Sequence, residues 1–194
     1  MADVGLILDA RQQSDAHSPA GSLFEHSIRA TAALADVFLN SGNRVGLFIY
    51  GRSLDWTYPG YGKVQRLRIL QALARAKTGG GHVFEKLEHL PARLFPARSQ
   101  LVLVSPLLPA DAGVLITLRA RGYRLLVISP NPVPFERQAL AESEEVAVAA
   151  RLADLERQLL LAKLRQADIR VVDWPVEMPF EYAAHTALGR FQHV

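Results

Sequence analysis

Val4-Gly5-Leu6-Ile7-Leu8-Asp9 is the stretch that decides the fold of this chain. Successive side chains on a strand point to opposite faces, so a short run that is apolar throughout is a strand covered on both sides. That is the signature of a parallel sheet, and here it is closed by a carboxylate. Moving outward, the signature returns at Arg44-Val45-Gly46-Leu47-Phe48-Ile49-Tyr50, Leu101-Val102-Leu103-Val104, Tyr123-Arg124-Leu125-Leu126-Val127-Ile128 and Ile169-Arg170-Val171-Val172-Asp173. Leu54-Asp55-Trp56-Thr57-Tyr58 alternates instead, directly after the turn Gly51-Arg52-Ser53. It reads as an antiparallel hairpin partner at the sheet edge.

Helices fill the intervals. Ser22-Leu23-Phe24-Glu25 is a capping box that starts a helix reaching about residue 41, where Gly42 stops it. Residues 63–77 and 110–121 read as further helices, and Val83, Leu87, Leu90 and Leu94 fall at helical spacing for a shorter one. Pro130-Asn131-Pro132-Val133-Pro134 reads as a stiff loop, followed by a long helical region over about 135–167 with a bend or two. In that region Leu152, Leu155, Leu159 and Leu160 are expected to pack on the sheet rather than on a coiled partner.

The chain has 194 residues, 49% hydrophobic and 21% charged. This fits a single domain over 1–194 with a sizeable core at about 4–174 and a tail, 175–194, carrying a short helix. Alternating strands and helices predict an α/β fold: a doubly wound, mostly parallel sheet with one antiparallel edge strand and helices on both faces. The net charge of +3 is spread along the chain without a dense basic run, which argues against nucleic acid as a partner. With no cysteine there is no disulfide, thiolate metal site or cysteine nucleophile. No apolar run is long enough to span a membrane and the start lacks a signal-peptide pattern, so a cytoplasmic protein is expected.

Ligands of such sheets sit outside the carboxyl ends of the strands. Three loops should converge there: Asp9 to Ser14, Gly79 to His82, and Ser105-Pro106. Asp9, His17 and Ser14 supply the residue types of a hydrolase triad, but they lie in one loop without a nucleophile elbow. Gly79-Gly80-Gly81-His82 lacks the Gly-Lys-Ser/Thr ending of a phosphate loop. His26, His82, His89 and His185 show no ligand-spaced pair, and Trp56 and Trp174 read as packing residues.

The order of elements resembles a von Willebrand factor A domain. Asn43-Arg44-Val45-Gly46-Leu47-Phe48-Ile49-Tyr50-Gly51, Tyr58-Pro59-Gly60 and Asp173-Trp174-Pro175 further resemble the prokaryotic family catalogued as domain of unknown function fifty-eight. The likeness runs from Val4 to about Trp174. It implies a role as an adaptor or substrate-recognition module beside MoxR-type AAA+ ATPases. It also implies that many relatives carry amino-terminal membrane helices and extra β structure, neither of which is read in this sequence.

The resemblance further implies a metal-ion-dependent adhesion site, with an Asp-x-Ser-x-Ser loop, a Gly-Gly-Thr threonine and a late aspartate. Matched position by position, Asp9 holds the first aspartate, Arg11 and Gln13 the two serines, Gly81 the threonine, and Pro106, after Ser105, the late aspartate. Magnesium needs a shell of hard oxygens, so the site is expected to be degenerate, with no metal cofactor. Weak magnesium binding is expected only if Asp9 and Ser14 rebuild a site, and Arg11 turned inward would put a cation where the metal's charge belongs. The expectation is a non-catalytic protein-binding module. Its rim is Asp9, Arg11, Gln13, Ser14, Gly80, Gly81, His82, Ser105 and Pro106. The alternative is an enzyme or binding protein for a small anionic ligand at the same strand ends, with Arg11 binding the anion and Asp9 acting as base.

Overall fold

The computed structural model of the protein describes residues 3–19, 21–51, 53–79, 86–91, 94–96 and 98–182. Six strands form one sheet: β1 (Asp3–Ala10), β4 (Arg44–Gly51), β5 (Leu54–Gly60), β6 (Gln100–Val104), β7 (Arg124–Pro130) and β8 (Arg170–Trp174). Their order across the sheet is β5-β4-β1-β6-β7-β8. All pairs are parallel except β4–β5. The chain thus starts at the centre, winds to one edge, and returns to wind to the other. A small hairpin of β2 (His17–Ser18) and β3 (Gly21–Ser22) stands apart.

The apolar run of β1 behaves as its pattern requires. Val4, Leu6 and Leu8 enter one core, and Ile7 enters the other on the opposite face. The first core lies under α1 (Leu23–Asn40), α2 (Gly62–Arg75) and α4 (Pro132–Arg137), the second under α3 (Asp111–Ala120) and α5 (Glu144–Gln166). Burying a side chain such as Leu6 contributes about 1.5–3 kcal/mol, so two covered faces hold the sheet far more firmly than one. The segment after β8 continues the first core through Val176 and Phe180, and the Trp174 indole N–H donates to the Met178 carbonyl at 2.9 Å.

The edge hairpin explains two of the sequence phrases. The β4–β5 register shifts between Val45 and Leu47, a local break in the ladder. The buried amide of Gln65 in α2 bridges the two strands there, donating to Val45 O at 2.8 Å and Tyr58 O at 2.7 Å. A Cβ at Gly60 would lie 2.7 Å from the Gln65 side chain, and one at Gly46 would lie 3.0 Å from Pro59. The glycines admit the close approach.

The helices differ from expectation in three places. The segment proposed as a helix through Val83, Leu87, Leu90 and Leu94 holds, among the described residues, a 3-10 turn at Leu87–His89 and a further 3-10 position at Leu94, but no α-helix, and Val83 lies outside them. Pro91 and Pro96, which lack the amide a helix needs, flank the exposed Leu94. The proline loop after β7 is helical: Asn131 accepts from Val133 N at 3.0 Å, and Pro132 sits in the first turn, where a missing amide costs nothing. Finally, α5 packs on the sheet through Leu161 and Leu164, while Leu152, Leu155 and Leu159 face solvent.

Candidate functional site

The carboxyl ends of β1 and β6 are neighbours, and the chain leaves both toward the same side of the sheet. Asp9 is the penultimate residue of β1 and is 3% exposed. Two residues later the chain has turned, and Arg11 folds back onto it. The Arg11 amide donates to Asp9 Oδ1 at 3.1 Å, its Nε donates to the same oxygen at 2.9 Å, and its Nη2 donates to Oδ2 at 2.8 Å. This is a side-on fork that matches the planar guanidinium to the planar carboxylate.

A second carboxylate completes the arrangement. Asp111, the first residue of α3, accepts from Arg11 Nη1 at 3.0 Å and from Nη2 at 2.7 Å. Its Oδ2 also accepts from the Leu108 amide at 2.8 Å. The Ser105 hydroxyl donates to Asp9 Oδ2 at 2.7 Å and accepts from the Leu107 amide at 3.0 Å. One buried cation therefore lies between two buried carboxylates, with a serine hydroxyl at their edge. Burial by itself would lower the Arg11 pKa. The hydrogen bonds to Asp9 and then Asp111 outweigh it and hold the guanidinium above its usual range, so Arg11 is charged at any working pH.

The loop that brings Ser105 and Asp111 together is strained. Leu107 is buried with φ at 68°, the left-handed region that a branched side chain avoids. The Ser105 hydrogen bond to its amide helps to hold it there. Beside this loop stands a second buried arginine, Arg157 of α5. It donates to the Pro106 carbonyl at 2.9 Å, to the Ser129 carbonyl and hydroxyl at 3.1 and 3.0 Å, and to Asp173 Oδ1 at 2.8 Å. The ends of β6, β7 and β8 are thus tied to one side chain.

The strand-end positions singled out from the sequence are distributed as follows. Asp9, Arg11 and Ser105 meet in one network, whereas the Pro106 carbonyl accepts from Arg157 in the neighbouring one. Ser14 is buried, and its hydroxyl has no hydrogen-bond partner among the described residues. Gln13 is exposed beside Gln12. The Gly79 loop does reach β1, with Gly79 N donating to Ala10 O at 3.1 Å and Gln12 N to Gly79 O at 3.2 Å. Gly80, Gly81 and His82 lie outside the described residues, as does His185. Of the proposed triad, His17 is exposed and faces Asp15 rather than Asp9. Trp56 packs edge-to-face on Phe48, Phe95 and Tyr58.

Asp111 is the residue that sequence reasoning missed. The late acidic position of the adhesion-site pattern falls on Pro106, which has no carboxylate; the carboxylate that shares Arg11 with Asp9 comes five residues later. Its signal was an acidic residue just after Pro109-Ala110 at a helix start, which reads as ordinary first-turn charge. Asp15 was missed in the same way: its Oδ1 accepts from both the Ser22 hydroxyl at 2.7 Å and the Phe24 amide at 3.1 Å, so it shares the α1 cap.

No family model and no curated protein matches the chain. Solved structures do. An aerotolerance-related membrane protein from Bacteroides fragilis aligns with a TM-score of 0.58 at 13% identity, over 98% of this chain and 100% of its own. The conserved hypothetical protein BatB from Bacteroides thetaiotaomicron aligns with a TM-score of 0.59 at 11% identity, over 99% and 98%. The VWA domain of SpRpn10 aligns with a TM-score of 0.55 at 13% identity, over 96% and 95%. Identities this low speak for the fold alone. No described helix is long and apolar enough to cross a membrane. With its centre-out strand order and single antiparallel edge, the chain has a von Willebrand factor A-like fold.

Proposed function

We propose that this domain is a non-catalytic protein-interaction module whose adhesion-type metal site is degenerate, with the Arg11 guanidinium standing in for the metal ion. The observation that carries this is the position of Arg11, 2% exposed and bonded to both Asp9 and Asp111. A magnesium ion at this point would need oxygens from the same two carboxylates and the Ser105 hydroxyl. All four carboxylate oxygens already accept hydrogen bonds from Arg11. The residues present do not fit a resident metal, and no cofactor is assigned to the site. The anionic-ligand alternative is disfavoured by the same contacts, since the arginine that would bind the anion is committed to carboxylates.

The partner assigned is a protein, with a MoxR-type AAA+ ATPase proposed on the family resemblance; the compartment assigned is the cytoplasm, which the cysteine-free sequence suits. Because Asp9, Arg11 and Ser105 are buried, the contact surface is the exposed rim above them, at Gln12, Gln13, Pro109 and Ala110.

Two measurements test this. Thermal unfolding with and without magnesium should be unchanged for the wild type, whereas Arg11→Ser, which removes the built-in cation and restores a hydroxyl, should gain stability with magnesium. A wild-type gain that disappears in Asp9→Ala would sink the degenerate-site reading. Titration of a purified MoxR-type ATPase should show binding that is lost in Gln12→Arg/Ala110→Arg. Equal binding by both would move the surface elsewhere, and no binding by either would remove the ATPase as partner.

A further inference from the structure

Helix α5 has two apolar faces. At 3.6 residues per turn, its buried residues Arg157, Leu161 and Leu164 point to the sheet, while Val148, Leu152, Leu155 and Leu159 cluster about 180° away. Those four side chains are between 57% and 71% exposed. A helix on a domain surface normally turns a polar face to water. Their spacing of four, three and four residues is that of alternating core positions in a coiled coil. The stripe is thus a seam without a helix against it among the described residues.

The charges beside the seam are asymmetric. Glu144 and Glu145 begin α5, and Lys163 and Arg165 stand in its last turn. Two such helices side by side in the same direction would bring acid against acid and base against base. In the opposite direction, Leu152 of one faces Leu155 of the other, Val148 faces Leu159, and each acidic end lies against a basic end. The seam is complementary to itself when reversed, which is the requirement for a two-fold symmetric contact.

We propose that this face of α5 is a homodimer interface in which a second copy of the chain packs its own α5 antiparallel on the Val148, Leu152, Leu155 and Leu159 stripe. The inference is independent of the reading of the strand-end site, because the seam lies on the opposite side of α5 from Arg157. Paired helices of this length bury less than the roughly 1,600 Å² of a standard interface, so the dimer is expected to be reversible, with a dissociation constant on the order of 10 µM.

Sedimentation velocity of the full chain, followed to about 100 µM, tests this. The wild type should shift from monomer to dimer with concentration. Leu152→Glu/Leu155→Glu should weaken the association at least about 100-fold, with circular dichroism confirming the native helix content. Glu144→Lys/Glu145→Lys should weaken it roughly fivefold, and adding Lys163→Glu/Arg165→Glu should restore it. A wild type that stays monomeric, a folded leucine variant that dimerises normally, or a charge reversal without rescue would each overturn the proposal.

Discussion

Arg11 and Asp111 stand a hundred residues apart in the sequence and two hydrogen bonds apart in space, at 3.0 and 2.7 Å. The contact joins the loop after the central strand to the first turn of α3, across the end of the sheet. Both side chains are 2% exposed, so each depends on the other to offset its lost hydration. The cation at this point is part of the chain, a guanidinium shared by Asp111 and Asp9.

Removing the cation should be the most damaging change at this site. Arg11→Met keeps an unbranched apolar stem but leaves Asp9 and Asp111 buried without a counter-charge. Breaking a buried pair from one side costs about 3–5 kcal/mol. Asp111→Asn leaves Arg11 paired with Asp9 and should cost less, about 1–2 kcal/mol. Urea unfolding of the three proteins checks the order, and equal losses for both variants would show that Asp111 matters as much as the arginine itself.

Much of this was legible before the structure. The two-sided burial of β1, the antiparallel edge at Leu54 and the convergence of Asp9 with Ser105 all follow from local patterns, because strand periodicity and strand-end geometry are local properties. What was hidden depended on the third dimension. Nothing near Asp111 in the sequence distinguishes a site carboxylate from ordinary helix-start charge, and only the packing of α3 against the β1 loop does. In α5, leucines occur on both sides of the helix, and periodicity alone does not say which set meets the sheet. The proline loop hid α4 because three prolines in five residues look like a breaker, although prolines in a helix's first turn are not.

Gly51 should be irreplaceable where Gly113 is not. A Cβ at Gly51 would lie 2.3 Å from the Ala10 carbonyl oxygen, in the adjacent strand and next to the Asp9–Arg11 turn. Backbone cannot rotate away as a side chain can, so Gly51→Ala should cost on the order of 1–3 kcal/mol. At Gly113 in α3 a Cβ meets nothing within 4 Å, and Gly113→Ala should stabilise by about 0.5–1 kcal/mol. Thermal unfolding of the pair decides it; similar shifts of the same sign would refute the close-approach argument.

Helix α5 ends in a Schellman motif with the wrong residue. Asp168 N donates to Arg165 O at 3.0 Å and Ile169 N to Leu164 O at 3.1 Å, while Asp168 has φ at 57°. Glycine adopts that backbone without strain. The Asp168 side chain pairs with Arg119 but is 83% exposed, and such pairs contribute little. Asp168→Gly should therefore be stabilising, by about 0.5 kcal/mol, after the greater freedom of glycine in the unfolded chain is counted. A destabilised variant would mean that the Arg119 pair outweighs the backbone strain.

Alkaline unfolding should report on Tyr50, the neighbour of Asp9 across the β1–β4 register. Its phenol donates to the Lys86 carbonyl. Burial pushes its pKa up from 10 to about 12; Arg11 opposes the rise, and the charges of Asp9 and Asp111 add to it. Below pH 10 both the folded and unfolded chains keep this proton, so it has no effect on the balance. Between 10 and 12 the unfolded phenol loses its proton while the folded one retains it, which favours unfolding as pH rises. Tyr50→Phe removes this linkage along with the hydrogen bond. The variant should be less stable at neutral pH and should lose stability less steeply through pH 10–12 in urea titrations. Parallel alkaline slopes for the two proteins would place the sensitivity in other groups and leave Tyr50 with a packing role only.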